Sequence, residues 1–330
     1  MRKLKPLFIS SVAAIIGLAG CGGSRNDPTE KYFLVAANIK LPYWQTAAGG
    51  LAHAAKQLGV QAEMVGPDTY DVQGEVQAFR RAVAKKPAGI LVSAADPALM
   101  APEINAAIGL GIPVITMDSD APQSKRLLFI GTNNREAGVM GGRVVVKELQ
   151  GKGTVVVYTM PGQGNLEERL HGYKDAFAQH EGIKIAEIVN MKGDPRIAFD
   201  RTSEIIVQGK MKPDAFVCLE AESCKEVADV LDRYKVTGKT VVAMDTNKET
   251  LNWVDKGLIV ATIAQKPFTM AFYGVKVLND VYHYKPASLD LKWSDDTLAP
   301  IPTFIDTGAT MIDKSTIAEF TKAQTTASGN

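Results

Sequence analysis

The chain has 330 residues, of which 46% are hydrophobic and 22% are charged, which is enough for one large or two medium globular domains. Its 37 basic and 36 acidic side chains give a net charge of +1. A balance this even offers no electrostatic basis for binding nucleic acid.

The N-terminus has the organisation of an export signal. Basic side chains precede an apolar segment at 7–18, which is too short to span a bilayer. The segment ends in Leu18-Ala19-Gly20-Cys21, which resembles the cleavage box of bacterial lipoproteins, where the cysteine is acylated. We therefore predict an exported protein with a signal peptide at 1–20, lipidation at Cys21 and a flexible tether at 21–31. An ordinary secretory signal is the alternative.

Beyond the tether, short apolar runs alternate with amphipathic segments. Strands are predicted at 32–38, 61–66, 89–93, 113–117, 127–131, 153–160, 183–191, 215–219, 240–244, 260–264 and 307–312. Helices are predicted at 43–58, 72–86, 100–110, 134–150, 165–180, 196–210, 223–234, 248–256 and 267–284. Repeated β-α units predict parallel sheets with right-handed crossovers, and the number of strands favours two sheets of about six over one of about twelve. The polar end, 321–330, is predicted to fray.

The predicted strand at 113–117 leads directly into two carboxylates, Asp118 and Asp120. A continuous apolar run of this length is typical of a strand covered on both faces in a parallel sheet. Ligands of such sheets bind outside the carboxyl ends of the strands. We therefore expect Asp118 and Asp120 to stand at a ligand site.

Two further cysteines, Cys218 and Cys224, lie across a predicted strand-to-helix turn. An exported protein folds in an oxidising compartment, where such a pair favours a disulfide. Two separate buried thiols are the alternative, because the geometry of the turn determines whether the sulfurs meet.

Five short motifs occur near the ends of predicted strands, in a specific order and spacing. They are Leu41-Pro42-Tyr43-Trp44, Gly-Ile-Pro-Val-Ile-Thr-Met-Asp at 111–118, Arg169-Leu170-His171-Gly172-Tyr173, the Asp-ending strand at 241–245, and Ala-Thr-Ile-Ala-Gln at 261–265. Together they resemble the type I periplasmic sugar-binding family, the ribose-binding and related proteins. The resemblance covers about 32–312 and implies two doubly wound parallel-sheet α/β lobes, which close by a hinge around a sugar.

The resemblance also implies the division of the chain. The N-terminal lobe is expected at 32–133 plus 266–292, and the C-terminal lobe at 134–265 plus 293–312, followed by a tail at 313–330. The three crossovers of the hinge would then fall near 132–134, 264–266 and 293–295.

The family pattern further implies a set of ligand contacts. A sugar presents hydroxyl donors and acceptors together with apolar faces, so its site needs ionised acceptors, forked donors and aromatic rings. The matching positions are the rings of Tyr43 and Trp44, the carboxylates of Asp118 and Asp245 in opposite lobes, the guanidinium of Arg169 and the amide of Gln265. Packing within the first helix, capping of a turn and exposure on a helix are the structural alternatives for these side chains.

The chain departs from the ribose-type pattern at four places. Ser119, followed by Asp120, stands where those members carry Arg, and Glu220-Ala221-Glu222 stands where they carry Asn-Asp. Ser93 replaces a strand-end Asn, and Asp194 replaces an aromatic residue. We include all of these side chains in the predicted site. For Glu222 the structural alternative is that its charge complements the dipole of the helix that begins there. A cleft that has lost an Arg and gained acids is a poor site for ribose itself.

Other functions fit the sequence less well. Asp118-Ser119-Asp120 superficially matches the Asp-x-Asp of magnesium-dependent haloacid-dehalogenase hydrolases, but Pro122 stands where that motif needs Thr or Val. A transcriptional repressor core shares the expected fold but needs a helix-turn-helix where this chain has its export signal. A cationic ligand such as a polyamine or a choline-like amine stays open, because aromatic rings and surplus carboxylates hold cations.

The sequence therefore predicts a non-enzymatic solute-binding lipoprotein of an ABC importer, specific for a monosaccharide or a sugar alcohol. We expect it to be a monomer without cofactor or metal, which contacts the membrane only through its lipid anchor and is recognised by the membrane subunits of the transporter.

Overall fold

The computed structural model describes residues 26–286, 288–291 and 293–328, except for the side chains of 294 and 324–328. The predicted signal peptide at 1–20 and the predicted lipidation at Cys21 lie outside the described residues. Within the described ranges, no helix combines the length and the apolar character needed to cross a membrane.

The described residues form alternating strands and helices. The strands are β1 (Lys31–Val35), β2 (Gln61–Val65), β3 (Gly89–Val92), β4 (Val114–Met117), β5 (Phe129–Gly131), β6 (Lys152–Thr159), β7 (Gly182–Asn190), β8 (Ala215–Cys218), β9 (Thr240–Met244), β10 (Ala261–Ala264), β11 (Phe304–Asp306) and β12 (Thr310–Asp313). The helices are α1 (Pro42–Leu58), α2 (Val72–Ala84), α3 (Pro97–Gly109), α4 (Asn134–Glu148), α5 (Gly164–Phe177), α6 (Arg196–Gln208), α7 (Ser223–Arg233), α8 (Lys248–Lys256), α9 (Pro267–His283) and α10 (Ile317–Ser328).

The strands form two six-stranded sheets, one in each lobe. The first has the order β11-β5-β4-β3-β1-β2, and all of its pairs are parallel. The second has the order β12-β10-β9-β8-β6-β7, in which only the edge strand β12 is antiparallel to its neighbour. The predicted fold class, two doubly wound α/β lobes, is confirmed.

Burial and helix capping explain how the sheets are built. Every residue of β3, β4 and β8 is buried, as expected for parallel strands covered on both faces by helices. Polar side chains at the ends of the connecting loops start the helices. Asp71 accepts a hydrogen bond from a backbone N–H of α2, and Asp96 and Asn133 do the same for α3 and α4.

The chain passes from one sheet to the other after β5, after β10, and between β11 and β12. The third crossing corrects the expectation that 293–312 belongs to the second lobe. Phe304–Asp306 pairs in parallel with β5, and Trp293 is buried in the core of the first lobe. A strand of three residues has too little periodicity to show in the sequence.

Both ends of the described chain are more ordered than the sequence predicts. Within the predicted tether, the Asn26 amide donates to the Leu58 carbonyl over 2.7 Å, and the Glu30 carboxylate lies 3.0 Å from the His283 ring nitrogen. Residues 26–31 are therefore attached to the first lobe. Within the predicted tail, Asp313 belongs to β12 and Ile317–Ser328 forms α10, since Phe320 and its neighbours pack against the core of the second lobe.

Candidate functional site

The two lobes enclose a cavity of about 100 Å³ between the carboxyl ends of their strands, which has room for several water molecules or a small ligand. Below, "the cleft" means this cavity and its lining. Ten of the twelve predicted ligand-contacting side chains line it: Tyr43, Trp44, Ser93, Asp118, Arg169, Asp194, Glu220, Glu222, Asp245 and Gln265.

Asp118 is the acceptor of the first lobe. Its carboxylate accepts a hydrogen bond from the Tyr43 hydroxyl at 2.6 Å, and the Ser93 hydroxyl lies 3.4 Å away. The Asn165 amide of the second lobe donates to it over 3.4 Å, so this carboxylate joins the lobes. Burial raises the pKa of Asp118. The positive charge of Arg169 and the hydrogen bonds that Asp118 accepts from Tyr43 and Ser93 lower it in part.

Asp245 occupies the matching position in the second lobe. Asp118 and Asp245 directly follow β4 and β9, and both have φ of 67°, in the left-handed region that Asp tolerates better than most residues. The Asp245 carboxylate accepts from the Gln265 amide at 2.9 Å. Burial raises its pKa to about 6, despite the lowering effect of Arg169.

Arg169, on α5, is the one cation among the described residues that line the cleft, and its side chain is almost fully buried. Its three nitrogens donate to three different acceptors: the Asn134 side chain at 2.9 Å, the Leu219 carbonyl at 2.7 Å and the Gln265 side-chain oxygen at 2.8 Å. These three acceptors fix the guanidinium in the wall of the cleft. They use three of its five N–H groups, which leaves two for a ligand.

Gln265 connects this network to the hinge. It directly follows β10, where the chain crosses back to the first lobe, and its oxygen also accepts from Thr132 on the first crossing at 2.9 Å. Its amide donates to Asp245. Arg169, Gln265 and Asp245 therefore form one continuous chain of hydrogen bonds that includes two of the three crossings.

Aromatic rings form part of the cleft wall. Trp44 is 5% exposed and packs edge-on against Tyr43, with 5.1 Å between ring centroids. Since the Tyr43 hydroxyl is bonded to Asp118, this ring positions the carboxylate as well as lining the cavity. Tyr70, which was not among the predicted site residues, is a third ring in the lining.

Glu220 and Glu222 reach the cleft from the loop between β8 and α7. Glu220 accepts from the backbone N–H of Glu222 at 2.7 Å and of Ser223 at 2.8 Å, and from the Ser223 hydroxyl. Burial raises the pKa of Glu220 to about 7. Glu222 has partners outside the cavity, namely the Lys225 ammonium at 2.6 Å and the Asn247 amide at 2.5 Å.

Asp194 lines the cleft but is paired with a neighbour. Its carboxylate accepts from the Arg196 guanidinium at 2.6 Å and from the Arg196 backbone N–H at 3.0 Å. These hydrogen bonds lower the pKa of Asp194. Because Arg196 balances its charge, Asp194 contributes hydrogen-bond acceptors and shape to the cleft lining, and little net charge.

Ser119 and Asp120 do not line the cleft, which corrects the sequence prediction. The left-handed backbone of Asp118 turns the chain, so that the Ser119 hydroxyl donates to the Ala94 carbonyl at 2.9 Å inside the first lobe. Asp120 accepts two hydrogen bonds, of 2.5 and 2.6 Å, from Arg126. Asp120 was predicted in the site because it follows the strand, and Ser119 because it stands where ribose-type members carry Arg, but only the turn determines where the two side chains point.

Three side chains that join the two lobes were not among the predicted site residues. The Gln163 amide donates to the Tyr70 hydroxyl across the cleft at 2.8 Å, and Asn165 reaches Asp118 as described above. Tyr70 follows β2, and Gln163 and Asn165 follow β6. The rule that ligands bind beyond the carboxyl ends of parallel strands was thus a usable signal for all three.

Cys218 and Cys224 form a disulfide, with 5.6 Å between their Cα atoms. Among the described residues, no group of three or more His, Cys, Asp or Glu side chains is arranged to hold a metal ion.

Residues 32–285 match the model of the periplasmic binding protein domain family. This chain belongs to that family. The family consists of exported solute-binding proteins, and the resemblance drawn from the five motifs is confirmed.

Sequence and structural relatives agree with this assignment. The D-allose-binding periplasmic protein of Escherichia coli K12 is 24% identical over 76% of this chain and 84% of its own length. The arabinose-binding protein AraP of Geobacillus stearothermophilus is 31% identical, with a TM-score of 0.74 over 89% of this chain and 99% of its own. The glucose-galactose-binding protein GanP of the same organism is 27% identical, with a TM-score of 0.79 over 88% and 99%.

Proposed function

We propose that this protein binds a monosaccharide or a sugar alcohol in the cleft and delivers it to the membrane subunits of an ABC importer. The observation that carries the proposal is the buried polar network. It presents carboxylate acceptors from both lobes, Asp118 and Asp245, beside the donors of Arg169. A polyol, whose hydroxyls both donate and accept, satisfies such a mixed set, whereas an apolar ligand would leave buried charges unpaired.

The aromatic wall supports the same ligand class. Trp44 and Tyr70 offer ring faces or edges for the weakly polar C–H groups of a sugar, next to the acceptors. The relatives described above are named as binding proteins for allose, arabinose, glucose and galactose, which supports a sugar as well.

The proposed function is reversible binding, without a chemical reaction of the ligand. The protein samples open and closed arrangements of its lobes, and a ligand that contacts both lobes shifts the population towards the closed form. Direct hydrogen bonds across the cleft, such as Gln163 to Tyr70, add to the stability of that closed form.

Isothermal titration calorimetry and thermal shift with a panel of pentoses, hexoses, sugar alcohols and amines test the proposal. A ligand present at about a hundred times its Kd is expected to stabilise the protein by about 2.7 kcal/mol. A thermal shift with amines only, and with none of the sugars or polyols, would contradict it.

A cationic ligand is the second candidate, because the cleft lining that the structure describes contains five carboxylates and one guanidinium. Two of the carboxylates are neutralised locally, Asp194 by Arg196 and Glu222 by Lys225. A third, Glu220, has a pKa of about 7 and is therefore protonated in part at neutral pH. The carboxylates of Asp118 and Asp245 then face the guanidinium of Arg169, so the described lining keeps a net negative charge, which is why a cation stays the second candidate beside a polyol. Affinity that falls steeply with added salt would instead indicate a cation.

Anchoring through an acylated Cys21 belongs to the same proposal and rests on the lipoprotein-like sequence before it. Stable attachment needs more than one acyl chain. Mass spectrometry of the N-terminal peptide from the membrane fraction tests this, with Cys21→Ser as the control. An unmodified cysteine at this position would contradict the anchor but not the ligand site.

A further inference from the structure

The whole loop that the two cysteines enclose takes part in the cleft. Cys218 is the last residue of β8 and Cys224 is the second residue of α7. Of the five residues between them, 219–223, the central three line the cavity. The last, Ser223, donates its backbone N–H and its hydroxyl to Glu220.

The same loop supports other parts of the site through its backbone. The Leu219 carbonyl accepts from Arg169 at 2.7 Å and is one of the three acceptors that fix the guanidinium. The Ala221 carbonyl accepts from the Asn247 amide at 3.1 Å, which ties the loop to the segment that follows β9. A displacement of the loop would therefore disturb Arg169 as well as the two glutamates.

The disulfide fixes this loop to the core of the second lobe. Cys218 is 1% exposed and Cys224 is 2% exposed, and both pack in the same apolar cluster as Phe216 and Val227. The stabilisation of the whole protein by a disulfide grows with the length of the enclosed loop. A bridge between residues six apart consequently restricts local geometry more than it opposes global unfolding.

We propose that the Cys218–Cys224 disulfide is a positioning element of the ligand site. It holds the 219–223 loop so that Glu220 and Glu222 face the cleft and the Leu219 carbonyl holds Arg169. The inference rests on the proposed function for its effect on ligand affinity, but its effect on Arg169 is testable without ligand.

The first test compares the wild-type protein with the Cys218→Ala/Cys224→Ala variant by calorimetry, using a sugar that the wild type binds. We expect the variant to lose affinity by about tenfold or more while it keeps its circular dichroism spectrum. Leu278→Ala is the control, because Leu278 is fully buried in the core of the first lobe, whereas the loop belongs to the second lobe. It should lower the melting temperature without lowering the affinity. Affinity of the double variant within about twofold of wild type would overturn the proposal.

A double-mutant cycle separates positioning from general stability. If the disulfide acts through Glu220, then Glu220→Gln should change the affinity less in the variant that lacks the disulfide than in the wild type. Fully additive effects would show that the disulfide does not act through this carboxylate. If the alanine variant does not fold, Cys218→Val/Cys224→Ala restores most of the lost volume and takes its place.

The last measurement needs no ligand. Hydrogen exchange of the Arg169 Nη1–H group, which donates to the Leu219 carbonyl, followed by NMR in the ligand-free proteins, should be slow in the wild type and faster without the disulfide. Unchanged exchange would overturn the positioning role. If no sugar binds the wild type, the proposed function fails, whereas this exchange experiment still decides the role of the disulfide.

Discussion

Asp118 and Asp245 show how the fold uses single residues. Both adopt a left-handed backbone conformation immediately after a buried strand, and both direct a carboxylate into the cleft. Such conformations cost on the order of 1–3 kcal/mol and persist where the surrounding structure holds them, commonly at functional sites. Their appearance at the same place in both lobes indicates that the turn serves the orientation of the carboxylate.

Asp118 and Asp120 are close in sequence but are expected to differ in function. Asp118→Asn removes a charge-assisted acceptor from the cleft and should weaken sugar binding by about 10- to 100-fold, since such hydrogen bonds contribute about 1.5–3 kcal/mol. Asp120→Asn, the matched control, breaks a partly buried pair with Arg126 outside the cleft. It should lower the melting temperature and leave the Kd unchanged. Calorimetry and thermal denaturation of both variants check this, and equal losses of affinity would be incompatible with the arrangement described.

Glu220 predicts a pH dependence of stability. Its pKa is raised from 4.5 to about 7 in the folded protein, so the folded state binds more protons than the unfolded state between these values. The contribution of Glu220 to the free energy of unfolding is therefore fully present below about pH 4.5 and is lost as the pH rises through about 7. In Glu220→Gln this contribution is absent. Urea denaturation across this window should show the wild type losing stability relative to the variant, and a constant difference would argue against the raised pKa.

At the scale of elements, the position of Arg169 depends on how closely α4 and α5 approach. A Cβ atom added to Gly172 of α5 would lie 2.1 Å from the Arg135 carbonyl of α4, and one added to Gly138 of α4 would lie 2.1 Å from the Arg169 carbonyl. Only glycine permits this packing at either position. The glycine of the Arg-Leu-His-Gly-Tyr motif thus serves the seating of the helix that carries Arg169.

Gly172→Ala should therefore reduce both stability and binding. Overpacking of this kind typically costs about 1–3 kcal/mol. The two helices must also move apart, which displaces Arg169, the residue one helical turn before Gly172. Gly164→Ala is a matched control on the same helix, because a Cβ there would meet nothing within 4 Å. Thermal denaturation and calorimetry should show losses for Gly172→Ala alone. A stable, fully binding Gly172→Ala protein would contradict this account of the packing.

At the scale of the whole molecule, closure brings Tyr70 of the first lobe against Gly193 of the second. Gly193 has φ of 75°, and an added Cβ would lie 2.5 Å from the Tyr70 ring. The Tyr70 hydroxyl is also bonded to Gln163. The closed form consequently needs a glycine at this position, for its backbone and for the space beside it.

Gly193→Ala should hinder closure without unfolding either lobe. We expect the wild type to become more compact on adding its sugar, as measured by small-angle X-ray scattering, and the variant to respond little and to bind more weakly. Tyr70→Gly in the Gly193→Ala background removes both the ring and the Cβ of residue 70, which would lie 2.8 Å from the added Cβ, and should restore part of the compaction. Full compaction of Gly193→Ala alone would show that this contact does not limit closure.

Local sequence predicted the alternating strands and helices and two parallel sheets, while the family resemblance implied the two lobes and most of the cleft residues. A physical reason underlies both. Buried parallel strands read as continuous apolar runs, and ligands collect where such strands end. Asp118, Asp245 and Gln265 follow strands directly, so a pattern in the chain marks them. The short strand β11, the docked segment at 26–31 and the helix α10 have no such pattern, since their order comes from contacts with distant parts of the chain.

Tertiary structure alone decided what each polar side chain at a strand end contacts. The sequence placed Asp118, Ser119 and Asp120 together at one site, but the left-handed turn at Asp118 aims only the first into the cleft, while Arg126 holds the third outside it. The meeting of Tyr70 with Gln163, and of Asn165 with Asp118, likewise depends on lobes whose residues lie far apart in sequence. Local propensity determines the elements and their order, whereas the direction of a side chain depends on backbone turns and on partners that only the closed fold brings within hydrogen-bonding distance.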